Sequence, residues 1–189
     1  MMTPVVQKLS VVKRPELLRH LLDLPMEDRR MRFGALMLDA AVEHYVEGID
    51  FGRDQLFGIF GLDMQLVGVA HLALDRAQRF AELGLSVDAD ERGKGYGFAL
   101  LQRAKLHAVN LGFRTLFMYC LTENKTMVHL ARKAGLKVVA EQGAVDAHLR
   151  LDAPNYGAVA QEVVEDQIAL VDLFWKQQLQ WLPHPVRVA

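Results

Sequence analysis

The feature that most constrains this chain is a glycine-spaced turn, Arg92-Gly93-Lys94-Gly95-Tyr96-Gly97, set between an alternating strand and an amphipathic helix. Before it, Ala81, Leu83, Leu85 and Val87 alternate with Phe80, Glu82, Gly84 and Ser86. One set points to a core and the other away from it. After it, Leu100, Leu101, Ala104, Ala108 and Leu111 recur at helical spacing from about Gly95 to Asn110, and Gly112 stands just past the end. Glycines let the backbone turn sharply and approach a ligand closely. The first helical N–H groups have no internal partner and carry partial positive charge. Together they make a cradle suited to a pyrophosphate, and Arg92 and Lys94 add charge. The plain alternative is an ordinary strand–helix connection with solvated charges.

The rest of the chain reads around that unit. Val5 to Lys13 is mostly apolar and β-branched and predicts a first strand. Pro15 suits the first turn of a helix carrying Leu17, Leu18, Leu21 and Leu22, and Pro25 opens a second from Met26 to about Arg32. A third helix, about Ala35 to Glu47, is expected to bury Leu36, Leu38, Ala41, Val42 and Tyr45. Gln55–Phe60 and Gln65–Leu74 then read as a hairpin, followed by the strand Arg79–Val87. Beyond the glycine turn come a strand Arg114–Leu121, a helix Asn124–Ala134 and a strand pair Leu136–Ala140 and Ala144–Leu151 around Glu141-Gln142-Gly143. Pro154 to Gly157 reads as a break, Ala158 to Trp181 as a long helix, and Pro183-His184-Pro185 as an extended tail. The expected fold class is α/β (α+β), a mixed sheet of about six to seven strands. Its early strands are antiparallel, and those flanking the Gly95–Asn110 helix are parallel.

Composition narrows the function. The 189 residues carry 22 basic and 23 acidic side chains, a formal charge of −1, which argues against a nucleic-acid partner. A chain of this length buries about 70% of its unfolded surface and needs no disulfide or metal to fold. One cysteine excludes a disulfide framework, and the seven histidines show no ligand spacing, so no metal is expected. No apolar run approaches ~20 residues and the N-terminus lacks a signal pattern, so no membrane is expected and the location reads as cytoplasmic. The domain expectation is one unit over residues 1–157, with residues 158–189 packed on it or on a second subunit.

Three phosphate-loop patterns compete at the turn. A Walker loop requires G-x-x-x-x-G-K-[ST], whereas here Gly95 follows Lys94. A dinucleotide fingerprint requires G-x-G-x-x-G and an acidic residue about 20 further on, and neither is present. The pattern [QR]-x-x-G-x-[GA] matches from Arg92 to Gly97. With Ala81-Glu82-Leu83-Gly84-Leu85-Ser86-Val87 before it, and Leu121-Thr122-Glu123-Asn124 and Ala131-Arg132-Lys133-Ala134-Gly135-Leu136 after it, the chain resembles the GCN5-related N-acetyltransferase (GNAT) superfamily. Leu24-Pro25-Met26-Glu27-Asp28-Arg29-Arg30-Met31-Arg32-Phe33 and Asn124-Lys125-Thr126-Met127 look most like the acetyltransferase domain of bacterial protein lysine acetyltransferases.

The resemblance implies the GNAT fold, acetyl-coenzyme A as donor and an amine as acceptor. By analogy the backbone of Arg92, Gly93, Lys94, Gly95, Tyr96 and Gly97 holds the pyrophosphate. That of Leu85, Ser86 and Val87 pairs with the pantetheine arm, and Asn124 contacts the cofactor. A lysine amine ordinarily titrates near pH 10.4, so a general base helps acyl transfer. Glu82 is the candidate, because it lies mid-strand opposite the apolar face, beside Gly84 and Ser86, which leave room, and matches the glutamate base of several relatives. A surface glutamate is the bland alternative. The tyrosine that many relatives use to protonate the thiolate is Ala131 here, so Tyr119, His129 and Tyr96 are the candidate acids, with solvent equally placed.

Other side chains have structural readings. Cys120 reads as a buried small hydrophobe rather than a nucleophile, His71 and His148 as core or cleft polar groups, and Asn124 equally as a helix N-cap. The long C-terminal helix carries Val163, Val164, Ile168, Leu170, Val171, Phe174, Trp175 and Trp181, which suits packing on its own sheet or a homodimer contact. Glu162, Glu165, Asp166 and Asp172 on that helix argue against a membrane surface. A non-catalytic acyl-coenzyme A sensor is the competing functional class, and the acceptor carries no motif.

Overall fold

The computed structural model describes residues 4–141 and 143–181. The elements in order are β1 (Gln7–Leu9), a 3-10 turn (Val11–Lys13), α1 (Arg14–Asp23), α2 (Met26–Phe33), α3 (Asp39–Glu47), β2 (Gln55–Phe60), β3 (Leu66–Asp75) and β4 (Phe80–Val87). A 3-10 turn (Ala89–Glu91) leads to α4 (Tyr96–Asn110), β5 (Thr115–Leu121), α5 (Lys125–Lys133), β6 (Lys137–Glu141), β7 (Ala144–Arg150) and α6 (Tyr156–Trp181). The strands form one mixed sheet in the order β1-β2-β3-β4-β5-β7-β6. Only the β4–β5 pair is parallel, as a crossover through α4 requires.

Each face of the sheet buries its own cluster. Leu56, Phe60, Leu66 and Val69 pack beneath α1 and α3 with Leu17, Leu21, Val42 and Val46. Phe57, Ala70, Leu72, Ala81, Leu83, Leu85, Leu116 and Met118 pack on the other face beneath α4 and α5, with Leu100, Leu101, Ala104 and Ala131. The alternation of β4 is therefore realised: Ala81, Leu83 and Leu85 are buried and Glu82 is exposed.

Four local expectations are corrected. Val5–Lys13 holds only a three-residue strand, because the chain tightens into a 3-10 turn that leaves Val11 and Val12 exposed. The third helix begins at Asp39; Leu36 and Leu38 lie before it, exposed, in the connection from α2, and Ala41 is exposed on the helix itself. Leu111 is also exposed, because it is the residue that ends α4 rather than one on its inner face. Residues Pro154 to Gly157 are only partly a break, since the Asn155 side chain accepts from the Ala158 N–H at 2.9 Å and starts α6 at Tyr156. Gln142 of the last turn and the tail from Pro183 to Pro185 lie outside the described residues.

α6 is fastened to α4 by charge, beside the small apolar contacts of Ala158 and the buried Ala169. Arg103, buried on α4, donates to Glu162 at 2.6 Å and also to Asp166. Glu162 further accepts from Asn110 at 2.6 Å and bonds His107. Farther along, Lys176 donates to the Phe60 carbonyl at 2.8 Å. No helix among the described residues is long and apolar enough to cross a membrane.

Candidate functional site

β4 and β5 make a fork. They pair only at Phe80–Thr115, Ala81–Leu116 and Glu82–Phe117, and from Leu83 to Val87 β4 has no rung to β5. On its other side β4 stays fully paired to β3. The edge of β4 that faces the fork therefore presents unpaired backbone groups, a template for an added extended segment. The turn follows directly. Gly93 and Gly95 stand at φ +78° and +84°, the left-handed region where a side chain is strained. Gly95 is also the N-cap of α4, and no atom lies within 4 Å of where its Cβ would stand.

Fork and turn open into one cleft of about 370 Å³. Leu85, Ser86, Val87, Arg92, Gly93, Gly95, Tyr96, Gly97, Asn124 and His129 all line it, so most of the residues singled out in the sequence are brought together. Sequence reasoning missed Asp28, Met31 and Arg32 from α2, and Thr126 and Lys133 from α5. The α2 residues lay in the stretch Leu24–Phe33 that carries the family resemblance, which gave them no role at the site.

Several side chains are engaged differently from expectation. Ser86 is buried and its hydroxyl bonds His20 Nε2 at 2.9 Å, leaving its backbone as the part available to a ligand. Arg92 pairs with Asp28 at 2.8 Å and Lys94 with Glu91 at 2.8 Å, and Lys94 is not part of the cleft lining. The cradle thus rests on backbone N–H groups more than on free cations. Asn124 accepts from the Met127 N–H at 3.0 Å, so it caps α5 while lining the cleft.

Of the reactive candidates, Glu82 is exposed on the last rung before the fork and borders a separate open cavity with Arg53, Asp54, Asp75 and Arg76. The room expected beside it is filled, because the Arg32 guanidinium occupies the space over Gly84. Tyr119 lies away from the cleft, packed against Gly34. His129 and Tyr96 are at the cleft, and Ala131 is wholly buried in the core. Cys120 is buried, and burial followed by the Asp146 charge raises its thiol, as a small core residue would show. Among the described residues no group of three or more metal-ligating side chains gathers.

A polar row lies under α2 and α3 on the Glu82 face. The Tyr45 hydroxyl and His71 Nδ1 share a 2.5 Å hydrogen bond, and His71 Nε2 stands 3.4 Å from Asp54. Burial first, then the Arg32 charge, pushes the His71 imidazole down to about 4, against the pull of Asp54. His71 is therefore neutral near pH 7 and can accept the Tyr45 proton.

Residues 18–136 match the model of the acetyltransferase (GNAT) family. A 56-residue stretch, 30% of this chain, is 41% identical to a mycothiol acetyltransferase of Propionibacterium freudenreichii and covers 18% of that protein. The chain spans less than half the length of the curated relatives it matches. The GNAT domain of S. lividans PAT superposes with a TM-score of 0.65 at 20% identity, over 77% of this chain and 89% of that one. A GNAT superfamily phosphinothricin acetyltransferase from Sinorhizobium meliloti, solved in complex with AcCoA, gives 0.63 at 16% identity, over 82% and 95%.

Proposed function

The chain belongs to the acetyltransferase (GNAT) family, and on that premise we propose that it transfers an acetyl group from acetyl-coenzyme A to a primary amine. The observation that carries the proposal is the single cleft in which the unpaired edge of β4 runs into the left-handed glycine turn at the start of α4. The edge suits the amide-bearing pantetheine arm, and the N-terminus of α4 suits the pyrophosphate. Acetyl-coenzyme A, when bound, supplies an activated thioester: a C–N bond forms to the amine, the C–S bond breaks, the thiol keeps one proton and one reaches solvent.

The protein's own residues bind, orient and move protons. Leu85, Ser86 and Val87 offer backbone groups along the arm. Residues Arg92 to Gly97 hold the phosphates, and Asn124 fixes the start of α5 beside them. Glu82 takes the amine proton, directly or through water. No hydroxyl stands at position 131, so Tyr96, His129 or solvent returns a proton to the thiolate. The buried Ala131 is also what favours the second reading, a protein that binds acyl-coenzyme A without turnover.

Calorimetry with coenzyme A, paired with an amine panel, tests this. Gly95→Trp puts an indole into the turn that lines the cleft and is expected to weaken coenzyme A binding at least about 10-fold by blocking the phosphate position; the left-handed backbone costs a further ~1–2 kcal/mol of folding stability. Equal affinity of the two proteins would overturn the placement. Tight binding without turnover of any amine would favour the sensor.

We also propose that α6 forms a subunit contact. Leu170, Phe174 and Trp175 are 61%, 55% and 62% exposed, and Val163, Ile168 and Val171 are similarly bare. Monomeric proteins rarely leave so continuous an apolar stripe uncovered. Light scattering of the intact chain should give twice the 21.3 kDa chain mass, and Leu170→Glu with Phe174→Glu should return it to one chain. A monomer at both compositions would refute the contact.

A further inference from the structure

One arginine of α2 is left without a counter-charge. Arg29 pairs with Asp39, and Arg30 with Glu27 and Glu123. Arg32 has no carboxylate partner among the described residues, and its one polar contact is a 3.3 Å bond to the Tyr45 hydroxyl. Its guanidinium lies on Gly84, where a Cβ would meet Nη2 at 2.1 Å, Cζ at 2.3 Å and Nη1 at 2.3 Å. Those near-equal distances describe a plane stacked flat on the strand, an approach that only a glycine allows. Phe33 backs it, with its ring centroid 4.9 Å from Cζ. A guanidinium has five N–H donors, and most of these remain for a ligand in the cleft that Arg32 lines.

Position decides which ligand. Gly84 precedes Val87 by three residues, about 10 Å along a strand. Arg32 is therefore remote from the phosphate turn and sits where the fork closes, at the reacting end. Glu82 is the next residue on the same face of β4 and is exposed. Arg32 on the cleft and Glu82 on the neighbouring cavity put a positive and a negative group two residues apart on one strand face, which complements a reactant that carries both an amine and a carboxylate. A half-buried guanidinium and a carboxylate bind through paired, charge-assisted hydrogen bonds.

Resting on the acetyltransferase reading above, we propose that Arg32, stacked on Gly84, seats a carboxylate of the reactants at the acyl end of the cleft. An amino-acid-like acceptor would supply it, or an acyl group with a distal carboxylate.

The experiment compares wild type with Arg32→Gln and Gly84→Ala. The second variant keeps the charge and displaces only the flexible end of a side chain, so it guards against misfolding of the first. Each free amino acid is assayed against its α-amide with acetyl-coenzyme A, and the amides are assayed again with succinyl-coenzyme A. With the carboxylate on the acceptor, kcat/KM for the preferred acid should exceed that for its amide about 10- to 100-fold. Both variants should collapse that ratio without raising the KM for acetyl-coenzyme A. With the carboxylate on the acyl group, the succinyl donor should be preferred, and the same variants should remove the preference. Equal use of acids and amides with both donors would overturn the proposal. So would a rise in the acetyl-coenzyme A KM in the variants, or coenzyme A binding with none of these reactants turned over. Failure of wild type to bind coenzyme A at all would instead sink the acetyltransferase reading beneath it.

Discussion

Glu82→Gln is expected to lower kcat about 100-fold or more at neutral pH while leaving coenzyme A affinity unchanged. The substitution keeps shape and removes the ability to take a proton. General-base assistance is typically worth ~10²–10⁴-fold. The site makes this role natural, since Glu82 sits on the last β4–β5 rung, exposed, with the strand edge opening immediately beyond it. A protonated amine near pH 7 must lose its proton before attack, and Glu82 is a carboxylate on the rung where the fork begins. The check is the pH–rate profile with whichever amine the panel identifies. Loss of rate with a changed profile supports the base; an unchanged profile removes Glu82 from the mechanism.

Glu162→Ala is expected to reduce the unfolding free energy by about 3 kcal/mol, through the lost charge-assisted bonds to Arg103, His107 and Asn110. Arg103 is only 2% exposed and would keep Asp166 and Glu165, the latter at 3.5 Å. His107 and Asn110 would each lose a bond. The same residue makes stability depend on acid. Burial pushes the Glu162 carboxyl up, but bonds from His107, Asn110 and Arg103 outweigh it and hold it at about 2, below the ordinary 4.5. A depressed carboxylate contributes fully above its unfolded value and loses that contribution as pH falls through its folded one. Wild type should therefore lose about 3 kcal/mol more than Glu162→Ala between pH 4.5 and 2. Urea unfolding at several pH values measures both effects. A loss under about 1 kcal/mol at pH 7 would mean that Arg103 is adequately held by its remaining partners.

What the sequence revealed and what it withheld divide along the range of the interactions. The alternation from Ala81 to Val87, the glycine turn and the helix after it are local patterns, and each formed as its period predicts. The Leu36 and Leu38 error is local too: an apolar spacing continued backwards through a connection that never enters the helix. The fork was implied by family likeness but not by any residue, because the loss of rungs after Glu82 depends on where β5 runs. The Arg32–Gly84 stack joins positions 52 residues apart, and the Arg103–Glu162 bond joins positions 59 apart. In each case the local pattern showed a charge or a glycine, and only the fold supplied its partner. For Arg103, the sequence offered an acidic helix face and no hint that one buried cation gathers it.

The three rungs that join β4 to β5 have a mechanical consequence. Among the described residues they are the only rungs between a four-stranded leaf, β1 to β4, and a three-stranded leaf, β5 to β7. So short a hinge does little to set the angle between the leaves. Ala81, Leu83 and Leu116, at or beside this seam, share one buried cluster with Leu100, Leu101 and Ala104 of α4. Trimming one of these core side chains is therefore expected to change the gape of the cleft without touching a residue that lines it.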